Sequence, residues 1–381
     1  MSIRVLHITH GRTTGLAHCV ADWVHEQIAV GMQVTVACPP GRLADLVGEA
    51  GAEVVVWRAA RAPGIGMLRE VRDLRRIVTK VSPDLIHLHC AKAGLLGRLV
   101  IRKHIPTLFS PHAWSFLAVT GVMRRLVREW ERFATRWTTT VVCVSQGEAA
   151  TGRKSGIRCQ FEVLSNQVNL PELNTLTTRD RGGVRAELGV APGTPIAVLA
   201  ARLCRQKGQD IAVAAWPKVR EVVASAELVM LGDGPDREML AERAVDPAAS
   251  GVRMLGLVDR ATTLRWMYAG DVVVCPSRWE GMSLVPLEAA ALGRPVVISD
   301  VDGARESVPV QAGSLIPVGD SDAFAVAVTR LLSDPGWAME MGEAARSAAA
   351  DRQAAIGSIS ASRKLALLYL NIAENEGSEP A

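Results

Sequence analysis

The sequence predicts an α/β protein built from two doubly wound parallel-sheet domains. Short β-branched strands alternate with helical stretches along the chain, a pattern typical of parallel sheets. Both halves open with the same succession of strand, polar loop and helix, in residues 4–30 and 196–223. A chain of 381 residues is long enough for two domains that each bury a core. We expect the two domains to face each other across a cleft, a common place for a ligand.

The first half contains seven short runs of apolar and β-branched residues that are predicted to be strands. These runs are Ile3–Ile8, Gln33–Ala37, Glu53–Trp57, Asp84–Leu88, Thr107–Phe109, Thr140–Val144 and Glu162–Leu164. Helices are predicted between them where apolar residues recur every three to four positions. The clearest are Leu16–Val30, Met67–Lys80 and Val122–Trp137.

The second half repeats this scheme. Its predicted strands are Ile196–Ala200, Glu227–Leu231, Arg253–Leu255, Asp271–Cys275, Pro295–Ile298 and Ser314–Ile316. A helix is predicted at Leu284–Leu292, with Ser283 as its N-cap and Gly293 as its stop. The chain is rich in helix from Ser321 onward, and its last helical stretch is predicted at Ala354–Asn371.

Domain boundaries follow from a loss of periodicity. Residues 169–181 carry Pro171, Asn174 and a Thr run, so we assign a linker at 171–182. This linker separates a first domain, residues 1–170, from a second domain, residues 183–352. The polar tail, residues 374–381, is expected to be frayed.

Composition excludes several classes of protein. No apolar run approaches the length of a membrane span, and the N-terminus is a strand leading into a glycine loop rather than a signal peptide. The formal net charge of +4 permits anionic partners but does not indicate nucleic acid. Seven scattered cysteines lack metal-ligand spacing and are expected to be reduced thiols. We expect a cytoplasmic protein, either free or peripheral on the inner face of the cell membrane.

The most informative stretch follows the predicted strand Asp271–Cys275. Glu280 lies on the loop after it and Glu288 just inside the next helix, with seven residues between them. Open α/β sheets bind ligands at the carboxyl ends of their strands. The free amides of a helix start favour an anion, and carboxylates accept strong hydrogen bonds from sugar hydroxyls. The stretch therefore predicts a site for a sugar phosphate beside two carboxylates.

This stretch resembles the E-x7-E signature of the family 4 retaining glycosyltransferases, whose GT-B fold has two Rossmann-like domains. The resemblance is carried by Pro276-Ser277, Glu280-Gly281-Met282-Ser283, Glu288-Ala289 and Gly293-x-Pro295-Val296-Val297. It implies that Glu280 orients sugar hydroxyls and Glu288 the ribose. It also implies donor contacts from Gly281, Met282, Ser283 and Leu284. A final helix, residues 353–373, is expected to cross back to the first domain.

Two cations follow the strand Ile196–Ala200. Arg202 and Lys207 suit a diphosphate, because Arg forks onto two oxygens and Lys adds a point charge. They match the family pattern G-R-x4-K-G, except that Ala201 replaces the leading glycine. The resemblance implies that Arg202 and Lys207 act in catalysis with Glu280, by neutralising charge on the departing diphosphate.

Two turns match further donor-binding positions of the family. Gly234, in Gly232-Asp233-Gly234-Pro235, resembles the turn that rims the nucleotide pocket. Leu257 and Val258 match the position that holds the base through backbone groups. A dinucleotide fingerprint is not supported, because Arg237 stands where its third glycine should be.

The first domain supplies two more expected site residues. Gly15 precedes a helix, and its amide is expected to meet a phosphate or an acceptor. The family has paired glycines here and a Glu two places on, whereas this chain has Thr14-Gly15 and Ala17, which suggests a changed acceptor contact. His112 matches the family histidine that lines the cleft, and the resemblance implies a catalytic contact with the transferred sugar or the acceptor. His87 and His89 lack a third metal ligand, so core packing is expected for them.

One helix carries a regular series of cations. Arg124, Arg128, Arg132 and Arg136 recur every fourth residue, beside apolar residues on the other side. The helix either docks on anionic lipid or packs on its own domain with a solvated basic face. The nearby stretch His87–Arg98 resembles a subgroup that builds bacterial surface polysaccharides on polyprenyl-diphosphate lipids.

Together with these patterns, the family resemblance implies a retaining hexosyltransferase. It is expected to move a sugar from a nucleoside diphosphate, with a UDP-sugar favoured, to a glycan acceptor that is lipid-linked, in bacterial polysaccharide or glycoconjugate synthesis. No Asp-x-Asp site is evident near the strand ends, so no metal cofactor is expected. The alternatives are a nucleotide-sugar epimerase or phosphorylase on the same fold, and a nucleotide-sugar-binding protein without catalysis. The sequence leaves the base, the sugar and the acceptor open.

Overall fold

The protein is described by a computed structural model that covers residues 2–11, 14–60, 64, 66–244, 250–356 and 360–377. The chain divides into two compact units. Unit 1 comprises Met1–Asn166 and Ile356–Ala381, and unit 2 comprises Gln167–Ala355.

The strands within the described residues are β1 (Arg4–Thr9), β2 (Gln33–Cys38), β3 (Glu53–Val56), β4 (Leu85–His89), β5 (Thr107–Ser110), β6 (Thr140–Cys143), β7 (Gln160–Val163), β8 (Ile196–Ala200), β9 (Glu227–Leu231), β10 (Val252–Gly256), β11 (Val272–Cys275), β12 (Val296–Ser299) and β13 (Gly313–Ile316). The α-helices there are α1 (Thr14–Ala29), α2 (Arg42–Glu49), α3 (Met67–Val81), α4 (Cys90–Ile101), α5 (Gly121–Ala134), α6 (Gln146–Lys154), α7 (Leu170–Thr177), α8 (Arg181–Glu187), α9 (Gln209–Val222), α10 (Arg237–Arg243), α11 (Arg260–Ala269), α12 (Leu284–Ala291), α13 (Ala304–Ser307), α14 (Ser321–Ser333), α15 (Pro335–Ile356) and α16 (Ala361–Gly377).

Unit 1 is built on a parallel sheet of strand order β3-β2-β1-β4-β5-β6-β7. Its strands are mostly apolar and buried because helices cover both faces of the sheet. One face packs against α1, α2 and the C-terminal helix α16, and the other against α3 and α4. The strand order reverses between β1 and β4, so the loops that follow these two strands diverge and leave a crevice.

Unit 2 repeats this plan with a parallel sheet of order β10-β9-β8-β11-β12-β13. Helices α9 and α14 cover one face, and α7, α11 and α12 cover the other. The order reverses between β8 and β11, which are direct neighbours. The two doubly wound, Rossmann-like sheets predicted from the sequence are therefore confirmed, and every predicted strand is present with ends shifted by at most two residues.

Three expectations about connecting segments differ from the structure. The expected linker, residues 171–182, instead forms α7 and the start of α8. Asn169 caps α7 by accepting a hydrogen bond from the Glu172 amide, Pro171 is tolerated in the first turn, and Leu173 is fully buried. The last helix begins at Ala361 rather than at residue 354. It continues to Gly377, so residues 374–377 of the tail, which was expected to be frayed, are helical. Residues 378–381 lie outside the described residues.

Candidate active site

The crevice at the β8–β11 reversal brings two of the predicted charges together. The loop after β8 carries Lys207 and the loop after β11 carries Glu280. Because parallel neighbours end at the same edge of a sheet, both loops leave from that edge. The Lys207 Nζ atom donates to Glu280 Oε1 at 2.5 Å. Two residues that the sequence analysis placed on separate loops are therefore in direct contact.

Three side chains of the described part of the chain hold Glu280. Besides Lys207, it accepts hydrogen bonds from Ser277 Oγ at 2.8 Å and from Gln206 Nε2 at 3.4 Å. Burial lowers the pKa of Lys207, but the Glu280 carboxylate more than offsets this and leaves the pKa raised. The ammonium group therefore stays charged, next to a carboxylate of fixed orientation.

A second contact between the loops fixes their separation. Arg278 donates to both oxygens of Asp210, at 2.8 and 2.7 Å, and its amide donates to the Gln206 carbonyl at 2.7 Å. Gly208 has a φ of +70°, and a Cβ atom there would lie 2.0 Å from the Pro276 carbonyl oxygen. Only glycine allows the two backbones to approach this closely. The Lys207–Glu280 geometry thus rests on backbone contacts as well as on the ion pair.

Arg202 lies on the same loop as Lys207 and is half-buried. Its Nη1 atom is buried and has no hydrogen-bond partner among the described residues. A buried N–H group without an acceptor is costly, so an anionic ligand that accepts from it would stabilise the site. Arg205, between the two predicted cations, is exposed and lies over the Trp279 ring at 5.5 Å.

Helix α12 starts beside Glu280. Ser283 occupies the predicted N-cap position but makes no side-chain capping bond. Pro286 is the third helical residue and has no N–H group to be capped. The first-turn amides of Leu284 and Val285 have no intrahelical acceptor, so they offer partial positive charge to an anion. Gly281 is buried at the same corner.

Glu288 does not reach the lysine. It is buried, and its Oε1 atom accepts from Arg260 Nη1 at 2.6 Å. Arg260 also donates to Glu172, from Nε at 3.0 Å. Burial raises the pKa of Glu288, and the neighbouring Arg260 cation opposes the shift. Arg260 could not be predicted from the sequence, because nothing in the chain order indicates that the start of α11 meets α12.

The remaining donor-site candidates of unit 2 lie on two turns. A Cβ atom at Gly234 would lie 2.1 Å from the Leu203 carbonyl oxygen, so this turn packs directly on the loop that carries Arg202. Leu257 is exposed and Val258 is half-buried after β10. Met282, after Glu280, is buried and its sulfur contacts Arg352 at 3.5 Å.

Two predicted site residues belong to unit 1. Gly15 lies exposed in the first turn of α1. His112 follows β5 with a φ of +50°, and the next residue, Ala113, has a φ of +94°. Burial lowers the pKa of His112 to about 4, so its imidazole is neutral at pH 7. Its Nε2 atom lies 3.2 Å from Nδ1 of His89.

His87 and His89 were expected to lack a third metal ligand, and this expectation is wrong. His7 on β1 lies beside them, and candidate ligand atoms of the three residues all lie within 4.8 Å of one another. Both nitrogens of His7 and of His87 already meet other side chains: His7 contacts His89 and Gln27, and His87 contacts Ser110 and Tyr369. A metal ion would have to displace these hydrogen bonds. The position of His7 beside His87 and His89 could be inferred only after β1 and β4 were known to be neighbours, with His7 and His87 in register.

The basic helix α5 exposes several of its apolar residues. Val122 is 72% exposed and Leu126 58% exposed, and Met123 and Phe133 are also exposed. Arg136 lies over the Phe133 ring at 3.7 Å. Part of the apolar side of this helix is therefore open to solvent, whereas Val127 packs against the core of unit 1. No described helix combines the length and apolar character that a membrane crossing requires.

Comparison with known proteins gives matches over most of the chain. Residues 194–334 match the model of a family described as glycosyl transferases group 1, and residues 14–167 match that of a glycosyl transferase 4-like domain. These two ranges lie mainly in unit 2 and unit 1, respectively.

Three curated relatives are mannosyl- or galactosyltransferases. A GDP-mannose-dependent alpha-(1-6)-phosphatidylinositol monomannoside mannosyltransferase of Mycobacterium tuberculosis is 31% identical over 90% of this chain and 92% of that protein. A UDP-Gal:alpha-D-GlcNAc-diphosphoundecaprenol alpha-1,3-galactosyltransferase of Escherichia coli is 27% identical over 70% of this chain and 71% of its own length. A GDP-mannose-dependent monoacylated alpha-(1-6)-phosphatidylinositol monomannoside mannosyltransferase of Corynebacterium glutamicum is 31% identical over 49% of this chain and half of that protein.

Among solved structures, a sucrose-phosphate synthase of Thermosynechococcus elongatus superposes with a TM-score of 0.78 at 20% identity. The match covers 97% of this chain and 99% of that chain. At this identity the likeness concerns the fold.

Proposed function

Because the chain belongs to the family 4 glycosyltransferases of GT-B fold, enzymes that use a nucleotide-sugar donor, we propose that it transfers the sugar with retention of anomeric configuration. The observation that carries the proposal is the Lys207–Glu280 pair at the β8–β11 reversal, together with a buried guanidinium nitrogen of Arg202, on the same loop as Lys207, that has no partner among the described residues. A diphosphate would satisfy that nitrogen, and a hexose would meet the fixed carboxylate.

In the proposed reaction, the bond between the sugar C1 and the β-phosphate oxygen breaks. The acceptor hydroxyl oxygen bonds to C1 on the same face, and its proton passes to the departing phosphate oxygen. Arg202, Lys207 and the first amides of α12 stabilise the charge that develops on the diphosphate. Glu280 orients the sugar hydroxyls, and Glu288 accepts hydrogen bonds from the ribose. In unit 1, His112 is assigned to the transferred sugar or the acceptor, and the amide of Gly15 is assigned to a phosphate or the acceptor.

The assay for this proposal is transfer from a panel of nucleotide sugars to a lipid-diphosphate-linked glycan. Nuclear magnetic resonance of the product should show the anomeric configuration of the donor. Glu280→Gln should lower turnover strongly, since it removes the charge-assisted contact to the hydroxyls. An inverted product would refute the retaining assignment, and product formed without an acceptor would indicate an epimerase.

The donor base has two candidates. A UDP-sugar is supported by the name of the Escherichia coli relative, and GDP-mannose by the names of the two mannosyltransferases. Leu257 and Val258 are expected to hold the base through backbone groups, next to Gly234. Calorimetric titration of UDP, GDP and ADP into the full chain separates the candidates. Tightest binding of ADP would contradict both.

The acceptor is proposed to be lipid-linked, in bacterial polysaccharide or glycoconjugate synthesis. The Escherichia coli relative is named for a diphosphoundecaprenol-linked acceptor, and the Mycobacterium tuberculosis relative for a phosphatidylinositol monomannoside. An enzyme with such an acceptor works at a membrane surface, so we assign this chain to the cytoplasmic face of the cell membrane. Helix α5 fits this role, because exposed apolar residues beside arginines insert at a lipid interface.

Vesicle binding tests the contribution of α5. Vesicles of anionic phospholipid should bind the chain in low salt and release it in high salt. Changing Arg124 and Arg128 to Glu should abolish binding. The matched control changes the exposed residues Arg72 and Arg75 of α3 to Glu and should keep binding. Absence of binding in both salt conditions would contradict the membrane assignment.

The reaction is proposed to need no metal ion. Two cations and helix amides already supply the positive charge that a divalent ion would otherwise bring to the diphosphate. Turnover should therefore persist after treatment with a chelator. Complete loss of turnover that added metal restores would refute this.

A further inference from the structure

A line of hydrogen-bonded side chains crosses the interior of unit 1 and ends at His112. Gln27 Oε1 lies 2.8 Å from His7 Nε2, and His7 Nδ1 lies 2.9 Å from His89 Nε2. His89 Nδ1 in turn lies 3.2 Å from His112 Nε2. Gln27, His7 and His89 are completely buried. We call these four residues the histidine line.

The imidazoles of the line are neutral near pH 7. Burial lowers the pKa of His7 and of His112 to about 4, and it lowers the pKa of His89 well below its usual value. A neutral imidazole has one N–H donor and one bare nitrogen that accepts. Each contact between two rings therefore holds a single proton, and the direction of one contact sets the direction of the next.

Gln27 sets that direction. Its carboxamide oxygen can only accept, so His7 carries its proton on Nε2 and presents a bare Nδ1. His89 must then donate from Nε2 to His7, and His112 must donate from Nε2 to His89. The Nδ1 atom of His112 is left bare, and no described residue donates to it. The histidine line thus ends at His112 Nδ1, which can accept a hydrogen bond.

The backbone keeps this acceptor in place. His112 and Ala113 both adopt a positive φ, a strained conformation for residues other than glycine. The buried Glu148 carboxylate holds the turn by accepting from the Ala113 amide at 2.6 Å and from the Val144 amide at 2.8 Å. Trp23 lies over the His112 ring with a centroid distance of 5.8 Å.

We infer that Gln27, His7 and His89 are positioning residues that hold His112 in its Nε2–H tautomer, so that His112 Nδ1 accepts a hydrogen bond from a hydroxyl of the transferred sugar or the acceptor. The role given to His112 rests on the proposed function, whereas the tautomer does not. An imidazole locked as an acceptor selects a hydroxyl that donates and repels the bare oxygens of a phosphate.

The tautomer is measured directly in the full chain. The eight histidines are labelled with nitrogen-15, and long-range nitrogen–proton correlations are recorded at neutral pH without substrate. The signal of His112 is identified by its loss in His112→Gln. We expect His112 as the Nε2–H tautomer in the wild type. In Gln27→Leu, which removes the terminal acceptor, we expect a mixture of both tautomers and a fall in kcat of about tenfold with the KM for the donor unchanged.

Ser110→Ala is the matched control. It deletes an equally buried hydrogen bond to His87, which lies beside the line and is not part of it. It should leave the His112 tautomer unchanged. An Nδ1–H tautomer in the wild type would overturn the inference, and so would a tautomer that Gln27→Leu does not alter. An equimolar metal ion bound to His7, His87 and His89 would overturn it as well.

The design separates this inference from the proposed function. If Gln27→Leu does not fold, the wild-type spectrum alone decides the tautomer. If His112 has the expected tautomer but His112→Gln keeps full transfer, the substrate contact is refuted and the hydrogen-bonded line stands. If the tautomer is wrong while transfer occurs, only the line fails.

Discussion

Replacing Lys207 by Met tests the central pair of the site. The change removes the charge, keeps the apolar stem, and leaves Glu280 with hydrogen bonds from Ser277 and Gln206 alone among the described residues. Removing one partner of a buried ion pair costs about 3–5 kcal/mol. The Lys207 side chain is 23% exposed and that of Glu280 10% exposed, so solvent screens part of the uncompensated charge and we expect a loss of about 2 kcal/mol in unfolding free energy. The kcat should fall by about 10²–10³, the effect of losing one donor to a developing oxyanion.

Denaturant unfolding and steady-state transfer kinetics measure the two effects. Lys218→Met is the control, because Lys218 forms an ion pair of the same length with Asp322 but is 58% exposed, and neither stability nor kcat should change. In the double variant with Glu280→Gln, stability should largely recover while kcat does not. A Lys207→Met enzyme with wild-type kcat would refute the assignment of Lys207 to the departing diphosphate.

Three further predictions follow from burial and close contact. Burial lowers the pKa of His7 to about 4, so its contribution to stability is present above the ordinary value near 6.5 and is lost as pH falls toward 4. Between pH 7 and pH 5 the wild type should lose about 2 kcal/mol more than His7→Gln in denaturant unfolding, and the exposed control His104→Gln should behave as wild type. Arg260→Ala should weaken nucleotide binding about tenfold, and more strongly at acidic pH, because Glu288 loses the cation that lowers its pKa; calorimetry showing an equal loss at acidic and alkaline pH would contradict this. Gly234→Ala should lower the thermal unfolding temperature markedly, since its Cβ would meet a carbonyl oxygen at 2.1 Å, whereas Gly48→Ala on α2, with its nearest neighbour at 3.8 Å, should not.

The strands and most helices could be predicted because their signals are local. A run such as Val272–Cys275 is β-branched and apolar wherever it lies in the sheet, and its end is marked by Pro276. Helix α7 was missed because its stability comes from the burial of Leu173 and from the Asn169 cap, which outweigh a Thr run of poor helix propensity. Such tertiary contributions leave no periodic pattern in an eight-residue helix.

Part of the donor-site geometry could also be predicted from local sequence signals. The loops that carry Lys207 and Glu280 each follow a recognisable strand, and a family resemblance gave the reason to join them. The partner of Glu288 could not be predicted from the sequence, since Arg260 reaches it from another helix. The third histidine was missed for a similar reason, because His7 meets His87 and His89 only through the pairing of β1 with β4.

The amino-acid sequence by itself determined that this chain forms two parallel α/β sheets and which loops carry its charged and glycine residues. These features depend on side-chain size, branching and chain stiffness within a few neighbouring residues. Only the tertiary structure decided that Lys207 neutralises Glu280, that Arg260 holds Glu288, and that Gln27 orients a line of buried histidines. Those contacts join residues from 20 to 82 positions apart, and their energies depend on burial and on hydrogen-bond direction, which no short stretch of sequence contains.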